Sequence, residues 1–192
     1  MSTLECGIVK RSVLLAGLAL AFMAPAQAQV YGLGKPVTAA QIQPWDIDVR
    51  PDGQGLPPGR GSVAQGKALF EGKCAACHGM KGEGTKIGER LTGGEGTLKS
   101  ATPRKSIGSF WPYATTVFDY VRRAMPYDRP QSLTPDELYA VTGYLLHLNG
   151  ILPADASLDA ASLPKVQMPN RNGFTTDPRP DTATIPCRQD CK

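Results

Sequence analysis

The chain has 192 residues, of which 41% are hydrophobic and 20% charged, the size of one domain with extensions. Glycine (21) and proline (17) are abundant and aromatics make up only 7%, so long irregular stretches replace a large continuous core. The net charge of +4 is small and scattered. It excludes the footprint of a nucleic-acid binder but permits docking to an acidic partner, and the lack of Val/Ile/Thr runs disfavours a sandwich or a doubly wound α/β enzyme.

In chain order, Lys10 and Arg11 precede an apolar run, Ser12 to Ala24, which ends in Pro25 and Ala26-Gln27-Ala28. A basic start, a short apolar stretch and a small-x-small end predict a secretory signal peptide over 1–28 and export to the periplasm. The run is short for a membrane span, so no span is expected after cleavage; an uncleaved anchor is the alternative. Cleavage removes Cys6 and leaves Cys74, Cys77, Cys187 and Cys191 in a compartment where disulfides persist.

Residues 29–60 carry Pro36, Pro44, Pro51, Pro57 and Pro58 and no apolar period. They read as an extended arm, with Trp45, Ile47 and Val49 as anchor points. Residues 61–150 hold the helix signals. Ser62 and Gln65 form a capping box, and Val63, Gly66, Leu69 and Phe70 share one face. A second helix follows Trp111-Pro112-Tyr113, turns Val117, Phe118, Val121 and Ala124 inward, and ends on Arg122 and Arg123, whose charges suit a helix C-terminus. The third has Thr134 as cap, Pro135 in the first turn, Glu137 completing the box and Asn149-Gly150 as the stop. Its apolar stripe is Leu138, Val141, Tyr144, Leu145 and Leu148. Residues 151–192 form a Pro-rich tail with no period and a terminal cysteine pair. Three short helices bury little surface, so a domain of this size calls for a staple, a metal or a cofactor.

Cys74-Ala75-Ala76-Cys77-His78 is C-x-x-C-H, the attachment motif for c-type haem. Two thiols three positions apart can each add to one vinyl group of the same porphyrin, and His78 is then held beneath the iron as the proximal ligand. The prediction is one covalent haem c on Cys74 and Cys77. A zinc site, a redox dithiol and a disulfide are the alternatives. Zinc needs four ligands, and a thioredoxin-like dithiol needs a βαβ setting that this chain lacks. Met125, followed by Pro126 at the end of the second helix, is the predicted distal ligand. Met168-Pro169 and His147 are rivals, while Met80 is too near His78 in the chain. A His/Met pair fills both axial positions and raises the potential, which favours electron transfer over haem catalysis, with no catalytic side chain. The loop Ile87-Gly88-Glu89-Arg90 is expected to supply a carbonyl for the His78 ring N–H, and Trp111, Ser109 and Arg104 are candidates to hold the propionates. Cys187 and Cys191 have the wrong spacing for a second haem. They read as a terminal disulfide loop, with a reactive pair as the alternative.

Gly66, Phe70, the CAACH motif, Met125-Pro126 and Tyr144-Leu145 resemble class I cytochrome c, in which the first and last helices cross at the positions of Gly66, Phe70 and Tyr144. The resemblance implies an all-α class I cytochrome c fold, here with an N-terminal arm and a C-terminal tail. Longer strings resemble the SoxD family: the segment from Tyr31 to Pro36, Trp45 to Gly53, Gly55 to Gly59, Gly94 to Leu98, Trp111 to Tyr127, Met168 to Phe174 and the Cys187–Cys191 ending. Some members carry two haem domains, whereas this chain has a single C-x-x-C-H. The resemblance implies a periplasmic monohaem cytochrome that accepts electrons from a molybdenum-containing SoxC-like subunit. That complex oxidises sulfane sulfur held on a carrier cysteine, and the electrons pass on to a downstream cytochrome. A freely diffusing cytochrome shuttle and a haem enzyme acting on sulfur compounds are the competing readings.

Overall fold

The structure, a computed structural model, describes residues 31–179; the expected signal peptide, Cys187 and Cys191 lie outside them. The chain divides at Ala39/Ala40. Residues 31–38 carry no regular element, and a single turn, α1 (Ala39–Ile42), begins at the boundary. The larger unit then runs through β1 (Arg60–Ser62), α2 (Val63–Lys73), α3 (Ala75–His78), α4 (Ile107–Phe110), α5 (Ala114–Ala124), α6 (Pro135–Leu148), β2 (Ser157–Asp159) and a 3-10 turn at Leu163–Lys165.

Three helices, α2, α4 and α6, start where side chains satisfy free backbone N–H groups. The Ser62 hydroxyl accepts from the Gln65 N–H, and the Gln65 side chain accepts from the Ser62 N–H in return. Thr134 and Glu137 do the same at α6. Each such cap stabilises its helix by about 1 kcal/mol. A third box, Ser106 with Ser109, opens α4.

The core forms where α2 crosses α6. Gly66 is buried there, and a Cβ at that position would fall on the Ala140 carbonyl oxygen. Only a residue without a side chain lets the two backbones approach this closely. One turn on, the Phe70 and Tyr144 rings pack at 5.4 Å. Helix α5 joins this pair through Phe118, whose ring lies 4.8 Å from that of the fully buried Tyr139. Val117, Phe118 and Val121 face inward as expected, whereas Ala124 is only half-buried.

Three features depart from the sequence reading. The ends of the arm and the start of the tail pair as an antiparallel two-stranded ribbon, with Gly61 opposite Leu158. The core continues past residue 150, because Leu158, Leu163 and Met168 are buried in the same cluster. Isolated apolar residues between prolines have no period, yet each fills a gap beside the helices. Trp45, expected to anchor the arm, is 82% exposed, whereas Ile47 and Val49 are half-buried.

Candidate haem-binding site

The motif sits at the C-terminal end of α2. Helix α2 ends at Lys73, Cys74 caps it by donating its N–H to the Phe70 carbonyl, and the chain turns at once into α3. One turn of helix places the two thiols on adjacent sites. Cys74 is half-buried and Cys77 exposed, and neither is in a disulfide. Burial pushes the Cys74 thiol up to about 11 against the opposing pull of Lys73, so it stays protonated at neutral pH.

The loop after the motif folds back onto it. The Thr85 hydroxyl donates to the Cys77 carbonyl at 2.6 Å, and the Gly84 N–H donates to that of His78 at 2.7 Å. Gly88 packs so close that a Cβ there would lie 2.7 Å from the Cys77 carbonyl carbon. This return places the Glu89 carbonyl oxygen 2.7 Å from His78 Nδ1. A carbonyl can only accept, so Nδ1 carries the proton and Nε2 keeps its lone pair for a metal. The acceptor lies within the four-residue stretch that the sequence pointed to.

Met125 is the C-cap of α5. Its N–H donates to the Val121 carbonyl at 3.1 Å, and its half-buried side chain packs against the core. The following Pro126, with Asp128, Arg129 and Ser132, lines a shallow cleft with Gly72 and Lys73. The end of α5 therefore stands beside the end of α2, from which Cys74 emerges. Of the rivals, Met168 is 3% exposed and serves as a core side chain. His147 Nδ1 donates to the Leu152 carbonyl at 2.9 Å. Met80 is exposed.

The propionate candidates separate. The Ser109 hydroxyl is committed: it donates to the Arg104 carbonyl at 2.9 Å and accepts from the Ser106 N–H. It stabilises the start of α4 and is not available to a carboxylate. Trp111 is half-buried, edge-on to Tyr120 at 5.7 Å, and the Arg104 side chain is exposed. The residue that sequence reasoning missed is Asn149. Its amide donates to the carbonyls of Leu91 (3.1 Å) and Leu145 (2.8 Å), and its carbonyl accepts from the Gly108 N–H (3.1 Å). It thereby ties the loop behind His78 to α4 and α6; the sequence signalled it only as a helix stop.

Among the described residues, no group of three or more His, Cys, Asp or Glu converges as a metal cluster. The zinc alternative lacks its four donors there. Two free thiols, a histidine with Nε2 open and a methionine at a helix end instead fit a haem. Cys74 and Cys77 would hold it by its edge, and His78 and Met125 would take the iron.

Comparisons with known proteins bear on the fold and on the class of cofactor. Residues 63–149 match the cytochrome c family model. The fold and the site thus define a class I c-type cytochrome, and membership of that family implies haem c. A chain of the crystal structure of the sulfane dehydrogenase SoxCD from Paracoccus pantotrophus is 44% identical, with a TM-score of 0.73 over 85% of this chain and 83% of that one. The chain belongs to the SoxD family. No curated protein matches it. Among the described residues no helix is long and apolar enough to cross a membrane.

Proposed function

We propose that this protein is the electron-accepting cytochrome subunit of a molybdenum sulfane dehydrogenase, working in the periplasm on sulfane sulfur carried by a partner's cysteine. The observation that carries the reading is the extent of the match to SoxCD. Identity of 44% runs over 85% of the chain, well outside the stretch that haem binding alone requires. Cys74 and Cys77 would hold one haem c through thioethers, and that group would supply a one-electron iron couple. His78 and Met125 would hold its iron, and the pairing of a thioether with an imidazole would favour the reduced form and a high potential. The Glu89 carbonyl holds the His78 ring in one tautomer and orientation. No acid–base side chain is required, because the cofactor carries the redox chemistry and the protein positions it. The signal peptide delivers the chain to the periplasm, a SoxC-like subunit supplies the electrons, and a soluble cytochrome removes them.

The test is reduction of the purified holoprotein, followed by visible absorbance, with carrier-bound sulfane sulfur in the presence and absence of the molybdenum subunit. Reduction only with the partner is the expected outcome. Reduction without it identifies a haem enzyme with its own sulfur site, and reduction in neither case leaves a general shuttle.

A further inference from the structure

Met125 has unequal support on its two sides. Downstream, Tyr127 to Ser132 are exposed and give it little to lean on. Upstream, its backbone hangs on the last turn of α5 through Val121. That turn is fastened from outside the helix. One carboxylate, Asp119, accepts from the Val49 N–H (2.9 Å) and from Arg123 through Nη2 (2.7 Å) and Nε (2.9 Å). Arg122 Nη1 donates to the Ile47 carbonyl at 3.1 Å. Asp48 also accepts from Arg123, but its side chain is 79% exposed while that of Asp119 is 20% exposed. Water screens the first contact far more than the second. Asp119 is therefore the joint between the arm and the turn that presents Met125.

We propose that the arm at 47–49 is a positioning strap, with Asp119 as the positioning residue, that holds the last turn of α5 closed and so keeps Met125 on the iron; this rests on Met125 being the distal ligand. An i,i+4 pair alone stabilises a helix only slightly. Asp119 does more, because the same oxygen that binds Arg123 also binds the backbone of the arm. Without it the Val49 N–H has lost its partner and Arg123 keeps only the solvent-washed Asp48. The last turn can then lift without unfolding the domain.

The measurement is the limiting rate at which cyanide displaces the methionine from the ferric holoprotein, with the red sulfur-to-iron absorption band as a static readout. Asp119→Ala should raise the rate by about tenfold, the factor that corresponds to losing one charge-assisted hydrogen bond from the closed state. Asp119→Asn keeps an acceptor for Val49 and should fall between. Ser62→Ala removes the α2 cap, at the far end from Cys74, and serves as a stability control. It should lower the denaturant midpoint without raising the rate. A rate in Asp119→Ala and Asp119→Asn no higher than in Ser62→Ala overturns the strap while Met125 ligation stands. Absence of the sulfur band in the unsubstituted protein overturns the ligand assignment, and the strap with it.

Discussion

Replacing Gly66 by alanine tests the helix crossing on which the site is built. The added methyl would fall on the Ala140 carbonyl oxygen, 2.5 Å from its carbon and 2.8 Å from the Tyr144 Cβ. Ordinary contact between carbons is about 3.5 Å or more, so α2 and α6 must part by roughly 1 Å. The obstacle is backbone, which cannot turn aside as a long side chain would. A gap of that size forfeits a quarter to a half of the dispersion attraction across the seam, including that of the Phe70–Tyr144 pair. Overpacking at this level costs about 3 kcal/mol. Alanine in place of glycine gives back about 1 kcal/mol of helix propensity. The net destabilisation is about 2 kcal/mol, which lowers the melting temperature by about 4–8 °C for a domain of this size. The assay is thermal unfolding of the holoprotein followed by far-ultraviolet circular dichroism and by the haem Soret band. An unchanged or raised melting temperature would refute the close crossing, because propensity alone favours alanine.

Two other predictions follow from single side chains. Asn149→Ala removes three hydrogen bonds and leaves the buried Gly108 N–H without its partner; it should cost about 2 kcal/mol in urea unfolding, and the loop behind His78 should gain amide exchange. Glu137 is held below the ordinary carboxylate range, first by its hydrogen bond to Lys73 and then by the Thr134 N–H. Its contribution is present above its unfolded-state value, about 4.3, and is lost as pH falls through the lower folded one. Glu137→Gln should therefore narrow the stability difference from wild type on acidification, and parallel curves between neutral and acid pH would contradict the linkage.

What could be read from the sequence was local. A capping box is written within four residues, so Ser62-Gln65 and Thr134-Glu137 announced their helices, and C-x-x-C-H is written within five. The Ser106–Ser109 box escaped because serine stands where glutamate or glutamine is usual. The loop supplying the His78 acceptor was found by its return towards the motif, whereas the choice of Glu89 among four carbonyls depended on how Gly88 seats against Cys77. Non-local pairings were invisible. Arg123 read only as a charge suited to a helix C-terminus, and nothing in the neighbourhood of Asp119 named Val49, 70 residues earlier, as its partner. Trp45 misled because size and apolarity predict burial only where there is a surface to meet.

The segments added to the cytochrome core converge on one side of it. The arm reaches α5 through Asp119 and Arg122, and the Thr115 hydroxyl donates to the Pro51 carbonyl at 3.4 Å. The tail reaches the corner that leads into α5. Asn170 donates to the Phe110 carbonyl at 2.7 Å, the Phe174 ring packs edge-on to Phe110 at 5.2 Å, and Arg171 lies over Tyr113 at 5.2 Å. The ribbon between Arg60–Ser62 and Ser157–Asp159 joins the two wraps. Helix α5 and its entry are thus held from both chain directions. A cytochrome needs only its helices to hold haem. The additional backbone here is used along α5, the helix that ends at Met125.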